Sequence, residues 1–337
     1  MMNFKKIVRF AGIVFLCLLI ASFIFLKKVS KFSSTPFDAT GKEIKFDINP
    51  GQNLSTISDN LQNNGIIKSS FFFKILASYK ESSKELKAGE YILSASKTPL
   101  EILSIITKGS VKLYRLTLPE GLNIKEVAQR VDQAGFGASE NFLLLAESQA
   151  FARKLGIDQV NLEGYLYPET YFFPKNTPQK KIIAAMVQAF NKAYNKEFRQ
   201  QTIDMGFSIH EIITLASIIE KETGAAKERP VISSVFHNRL KKGMRLESDP
   251  TVIYGIKDFN GNITRKDLRT WTPYNTYKIK ALPPGPIANP GELSIKAALY
   301  PDKTDYIFFV AKKDTTHKFS RTIQEHNKAV RKYQLNR

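Results

Sequence analysis

The stretch Ile44-Lys-Phe-Asp-Ile-Asn-Pro-Gly-Gln-Asn-Leu-Ser-Thr-Ile-Ser-Asp-Asn-Leu-Gln-Asn-Asn-Gly65 changes period half-way along. Ile44, Phe46 and Ile48 alternate as in a half-buried strand and Pro50-Gly51 turns the chain; Leu54, Ile57 and Leu61 then fall at helical spacing before Gly65. The same order returns in Leu116-Thr-Leu-Pro-Glu-Gly-Leu-Asn-Ile-Lys-Glu-Val-Ala-Gln-Arg-Val-Asp-Gln-Ala-Gly135. Gly51 and Gly121, Asn53 and Asn123, Leu61 and Val131, and Gly65 and Gly135 are each 70 positions apart. Two copies of a strand, turn and helix unit are therefore expected, and the fold class is α+β.

Between the copies, Phe71 to Tyr79 reads as a helix, Leu86 to Leu93 as a turn and strand, and Pro99 opens a further helix that stops at Gly109. After Leu143 the chain becomes mostly helical, with helices expected over Lys181–Phe198, Ser208–Thr223 and Glu228–Lys241. Ser208 and Glu211 have the spacing of a capping box. Beyond Gly243 come long loops rich in Pro, Gly, Asn and Tyr, then a helix over Leu293–Leu299, a strand over Tyr306–Ala311 and a last helix from Arg321. Loops of that length inside a compact domain usually carry function.

Ahead of the first copy, Phe10 to Leu26 is a run of 17 residues without a charge, extended past Arg9 by Ile7 and Val8. This is a membrane-helix candidate at the short end of the range. Phe25-Leu-Lys-Lys-Val-Ser-Lys31 has no small-x-small cleavage pattern, so the segment reads as a retained anchor rather than a signal peptide. Three basic residues lie on each side, and the α-amino group tips the balance toward an inside N-terminus. The expected division is a short tail at 1–6, a transmembrane helix at 7–26, a linker at 27–40, a repeat module at 41–142 and a mostly helical domain at 143–337.

The 337 residues carry a net charge of +19, and removing the six flanking Lys and Arg of the anchor leaves +13 for the folded part. That balance suits an acidic partner. A Lys/Arg run of five or six and a recognised nucleic-acid module are both missing, which argues against nucleic acid. The lone cysteine, Cys17, lies in the anchor, so neither an internal disulfide nor a thiol nucleophile is expected in the folded part. His210-Glu211 lacks the second histidine of a zincin, and the four histidines show no ligand spacing, so no metal and no cofactor are expected.

Chemistry concentrates on the helix Ile209–Thr223. Ile212, Ile213, Leu215, Ala216, Ile218 and Ile219 make a wide apolar face with Glu220 and Glu222 at its margins, while Lys221 points away. Burial along such a face favours the protonated form of a carboxyl, as a general acid near neutral pH requires. Helix geometry does not choose between the two glutamates. Tyrosines cluster at Tyr165, Tyr167 and Tyr171 and again at Tyr254, Tyr274 and Tyr277, and their rings could stack on sugar faces.

Six motifs, in order, resemble one family: Leu162-Glu-Gly-Tyr-Leu-Tyr-Pro-Glu-Thr-Tyr171, Leu215-Ala-Ser-Ile-Ile-Glu-Lys-Glu-Thr223, Val235-Phe-His-Asn-Arg-Leu240, Leu246-Glu-Ser-Asp-Pro-Thr-Val-Ile-Tyr-Gly255, Tyr274-Asn-Thr-Tyr277 and Leu282-Pro-Pro-Gly-Pro-Ile-Ala-Asn-Pro-Gly291. The family is the membrane-bound endolytic murein transglycosylases, also called MltG or YceG-like. His237 stands where an aliphatic or variable residue is expected. The resemblance implies a LysM-like repeat module, a catalytic domain outside the cytoplasmic (inner) membrane and peptidoglycan glycan strands as substrate. It also suggests action beside a peptidoglycan synthase on nascent strands.

The resemblance places the catalytic glutamate on Glu220. A single carboxyl suffices if the C6 hydroxyl of the muramoyl residue attacks its own anomeric carbon, giving a 1,6-anhydro end without water, in contrast to the two carboxylates of an ordinary glycosidase. An acid of this kind holds its proton about two pH units above ordinary glutamate, roughly 2.7 kcal/mol. Glu163, Tyr165, Tyr171, Glu222, Asn238, Asp249, Tyr254, Tyr274, Asn275 and Tyr277 are the candidates for orienting sugars. The rival expectation is a non-catalytic, membrane-anchored peptidoglycan-binding protein.

Overall fold

The computed structural model describes residues 4–257 and 259–335, so the first three positions of the expected tail lie outside the described residues. The chain forms two compact units, one of residues 1–114 with 174–176 and one of residues 115–173 with 177–337.

The first unit begins with α1 (Phe4–Ser34), followed by β1 (Glu43–Ile48), α2 (Leu54–Asn63), α3 (Ser70–Tyr79), β2 (Gly89–Ser94) and α4 (Pro99–Lys108). α1 is the one described helix long and apolar enough to cross a membrane, with none of its apolar window buried, and it fits a single membrane-spanning anchor. It runs past the apolar stretch through Lys27 to Ser34, because no helix breaker occurs before Pro36 and Phe32 packs on Phe72. β1 and β2 are antiparallel, with Phe46 opposite Tyr91 and Ile48 opposite Gly89. Phe46 and Ile48 enter a core with Ile57, Leu61, Phe73, Tyr91, Leu93 and Ile102, whereas Ile44, near the outer end of the strand, is exposed.

The second unit starts within β3 (Leu113–Thr117) and continues through α5 (Ile124–Gln133), α6 (Ser139–Ala146), α7 (Gln149–Lys154), β4 (Thr170–Pro174), α8 (Gln179–Ala193), α9 (Lys196–Asp204), α10 (Ile209–Glu222), α11 (Arg229–Lys241), α12 (Asp249–Tyr254), α13 (Arg265–Arg269), α14 (Glu292–Leu299), β5 (Phe308–Ala311), β6 (His317–Ser320) and α15 (Ile323–Val330). β3 pairs with β4, and β5 with β6 in an antiparallel hairpin. The single helix expected over Lys181–Phe198 is two. Tyr194 leaves the helical region with ψ 69°, and the Asn195 side chain caps α9 by accepting from the Phe198 amide.

The 70-residue repeat is realised in matching local structure. Asn53 and Asn123 cap α2 and α5 by accepting from the amides of Thr56 and Glu126, at 2.9 and 3.0 Å. Gly51 and Gly121 adopt φ of 83° and 80°, which an L side chain resists. One copy belongs to each unit, since the division falls at Tyr114.

Candidate active site

α10 begins with the expected capping box, Ser208 Oγ accepting from the Glu211 amide at 3.2 Å and the Glu211 carboxylate from the Ser208 amide at 2.8 Å. Its residues from Ile212 to Ile219 are all buried, and α14 packs along it. Glu220 and Glu222 follow in the last turn. Two residues separate them by about 200° around the axis, so they meet different partners.

The Glu220 side chain is only 6 % exposed. Arg229, the first residue of α11, donates from Nη2 to Glu220 Oε1 at 2.9 Å, and the Gly291 amide, just ahead of α14, donates to Oε2 at 3.1 Å. The same Nη2 lies 3.6 Å from Oε2 of Glu120, a half-exposed carboxylate in the turn between β3 and α5. Burial and the neighbouring Glu220 charge push Glu120 up from its ordinary value, with Arg229 opposing. Tyr167 faces Glu120 as well, and burial with the charges of Glu292, Glu120 and Glu169 pushes it up to about 12.

Gly291 is at φ −79°, so its backbone does not require glycine. What it leaves is room: a Cβ there would overlap the Glu120 carboxyl, which would have to swing away. Asn289 fixes the turn that carries Glu120. Its carbonyl accepts from the Gly121 amide, its Nδ2 donates to the Leu122 carbonyl at 2.8 Å and its Oδ1 accepts from the Leu166 amide at 2.9 Å. Lys221 is exposed, as expected, and donates to the Gly121 carbonyl at 3.1 Å.

Glu222 turns into a separate cavity of about 430 Å³ lined also by Arg239, Asp249, Tyr277, His317 and His326. Its Oε1 accepts from the Ser248 hydroxyl. Desolvation of its carboxyl pushes Glu222 up to about 7; the Ser248 hydrogen bond and Arg239 oppose this and the Asp249 charge adds to it. Tyr277 donates to Asp249 Oδ1 at 2.7 Å. Glu163 forms a second neutral-range carboxyl, pushed up to about 7 chiefly by burial. It accepts from the Ile124 amide at the start of α5 at 3.1 Å and from Tyr254 Oη at 3.0 Å, and the Tyr254 ring lies 4.8 Å from that of Tyr274.

Of the sugar-orienting candidates, the structure therefore brings Glu222, Asp249 and Tyr277 to one cavity and Glu163, Tyr254 and Tyr274 to another cluster. The other four are engaged within the fold. Tyr165 Oη pairs with His210 Nδ1 at 2.9 Å, and Tyr171 donates to the Tyr167 carbonyl. Asn238 Nδ2 donates to the Thr304 and Tyr306 carbonyls, and the buried Asn275 ties together the carbonyls of Asp267, Leu268 and Thr270. Sequence reasoning did not single out Glu120, Arg229 or Ser248. The one available signal was Pro119-Glu-Gly121, a charged residue at the tip of a repeated turn. Among the described residues no group of three or more His, Cys, Asp and Glu could hold a metal ion.

A model of the YceG-like family matches residues 46–332. This chain belongs to the YceG-like family. An endolytic murein transglycosylase of Bacillus subtilis (strain 168) is 35% identical over 306 residues, which is 86% of the YceG-like chain and 84% of that relative. One of Streptococcus pneumoniae (strain R6) is 32% identical over 332 residues, and there the YceG-like chain spans 60% of the relative's length. The crystal structure of a yceG-like protein from Listeria monocytogenes superposes with a TM-score of 0.59 at 35% identity, covering 86% of this chain and 99% of that one.

Proposed function

We propose that this YceG-like chain is an endolytic murein transglycosylase, a lyase that cleaves within peptidoglycan glycan strands, and that Glu220 is its catalytic acid and base. The observation that carries the reading is the setting of Glu220: a nearly buried carboxyl at the end of an apolar helix, gripped by Arg229 and the Gly291 amide, with the Glu120 carboxyl on the same guanidinium. The relatives' names supply the substrate class.

In this mechanism Glu220 donates a proton to the glycosidic oxygen between the muramoyl residue and the next glucosamine, and the C1–O bond breaks. The muramoyl C6 hydroxyl then closes on C1, its proton passes to the Glu220 carboxylate, and a 1,6-anhydro end forms with no water consumed. Arg229 and the Gly291 amide hold the carboxyl in place. Glu120 adds a second negative charge beside the reacting centre, and its own carboxyl is pushed up by burial and by the Glu220 charge. The remaining candidates, Glu163, Glu222, Asn238, Asp249, Asn275 and the tyrosines, orient sugars directly or hold the loops that do.

The reading extends to organisation. Residues 7–26 anchor the chain in the cytoplasmic membrane with the N-terminus inside, and the LysM-like segment 41–142 positions glycan for the catalytic segment 143–337, to which Glu120 contributes. The enzyme ends nascent strands beside a synthase. A topology reporter fused at the C-terminus tests sidedness, since a cytoplasmic C-terminus is incompatible with wall cleavage.

The deciding experiment is mass spectrometry of muropeptides released from purified sacculi. Wild type should give anhydro ends, one water lighter than hydrolysed ends, and Glu220→Gln should give none. Full anhydro-product formation by folded Glu220→Gln would overturn the mechanism, and binding of sacculi without any cleavage by wild type would leave a wall-binding protein.

A further inference from the structure

In the first unit, the foot of the membrane helix is bound to the folded part by aromatic rings. Phe72 at the start of α3 lies 6.2 Å from Phe25, still within the apolar stretch, and 5.6 Å from Phe32, beyond the first lysines. Seven residues of helix span about 10.5 Å, so Phe72 sits beside α1 at the level of Lys28 and Val29. That is the height at which an apolar span meets lipid headgroups. Phe71, whose ring is 5.6 Å from Phe72, is 60% exposed, and Phe37 is 49% exposed. Single exposed apolar residues are ordinary on a soluble surface; an exposed Phe71 beside Phe72 at the depth of the headgroup layer fits an interfacial belt, and Phe37 lines the cavity that adjoins them.

Beside these rings lies a cavity of about 470 Å³ lined by Lys28, Lys31 and Lys68 together with Phe32, Phe37 and Phe72. Among the described residues, none of the three ammonium groups has a carboxylate partner. Lys74, on the next turn of α3, is by contrast held by Asp59 at 3.2 Å. Rings at the hydrocarbon boundary with free ammonium groups around an adjoining cavity match an acyl chain joined to a phosphate.

We propose that this face of the first unit is seated in the membrane interface, with Phe71 in the headgroup layer and Lys28, Lys31 and Lys68 around the phosphate of an anionic phospholipid. The inference requires only that α1 crosses the membrane. It restricts the orientation of the first unit on the bilayer, which a flexible tether would leave free.

The test uses the full chain in vesicles of phosphatidylcholine, with or without phosphatidylglycerol. Trp271 is the single tryptophan, so Phe71→Trp in a Trp271→Phe background reports position 71 alone. Its emission should be blue-shifted and quenched by shallow doxyl-labelled lipid more than by aqueous iodide. Labelled phosphatidylglycerol should quench in preference to labelled phosphatidylcholine by at least about fivefold, the equivalent of one lysine near an anionic surface. Replacing Lys28, Lys31 and Lys68 with glutamine should remove the preference while leaving the blue shift, and free inorganic phosphate should not replace the lipid's effect. A protein that floats with the vesicles while the introduced indole emits as in water and is quenched by iodide overturns the proposal. So does a lipid preference unchanged in the triple variant, or one abolished by inorganic phosphate. Failure to float at all would instead refute the membrane-spanning reading of α1.

Discussion

Replacing Glu222 with glutamine separates the role of its burial from that of catalysis. In the folded chain Glu222 holds its proton up to about pH 7, whereas its ordinary value is 4.5. Between those values the native state binds more protons than the unfolded state, so stability is fully present below about 4.5 and is lost as pH rises through 7. At about 1.36 kcal/mol per pH unit, the interval corresponds to about 3 kcal/mol once the carboxyl is ionised. Glutamine keeps the volume, accepts from the Ser248 hydroxyl through its amide oxygen and carries no charge to desolvate. Glu222→Gln should therefore flatten the pH dependence of stability, and between about pH 5 and pH 8 wild type should lose about 3 kcal/mol more than the variant. A slope should remain in both proteins, because Glu163 titrates in the same range and with the same sign. Urea midpoints of the full chain in detergent at stepped pH measure this, with anhydro-product formation assayed alongside. Parallel stability curves for the two proteins would refute the argument from burial. A loss of cleavage equal to that of Glu220→Gln would show that the two glutamates act as a pair.

Gly291→Ala leaves the backbone at an allowed φ but pushes the Glu120 carboxyl out to ordinary contact with the new methyl group, breaking its approach to Arg229. The stability change should stay within about 1 kcal/mol because Glu120 is half-exposed, while cleavage should fall as far as in Glu120→Gln; full activity in both variants would remove Glu120 from the reacting centre. Arg229→Met strips the cation from a carboxyl that is 6 % exposed and should cost about 3–5 kcal/mol, read from urea midpoints. A loss of less than about 1 kcal/mol would contradict it. Tyr254→Phe removes a hydrogen bond to Glu163 that stabilises the charged form, so stability should drop by about 1 kcal/mol and the pH at which Glu163 ionises should rise, read from the same titrations.

Much of the fold is legible from short-range patterns. The two turns with positive-φ glycines, the Asn53 and Asn123 caps and the Ser208–Glu211 capping box involve residues within a few positions of one another, so their spacing alone specifies them. A break in this reading, between α8 and α9, came from Asn195. Its side chain competes for the backbone where an uninterrupted apolar stripe predicts a continuous helix. The candidate site was legible only in part. The apolar face of α10 and its two glutamates stand out at 3.6-residue spacing, and Glu222 has the neutral-range titration that such a face favours.

The sequence by itself determined the repeated strand, turn and helix units, the apolar N-terminal helix and the longer helices such as α10 and α11, because capping, turn geometry and hydrophobic period act over a few residues. Which partners meet each glutamate was decided only by tertiary structure. Arg229 arrives with α11, Gly291 with the start of α14 and Glu120 with the turn of the second repeat, and their convergence on Glu220 depends on α14 packing against α10 and on Asn289 pinning that turn. No local rule encodes such a meeting. It arises from burying the apolar faces of segments far apart in the chain, with a glycine at 291 leaving the space that the Glu120 carboxyl occupies.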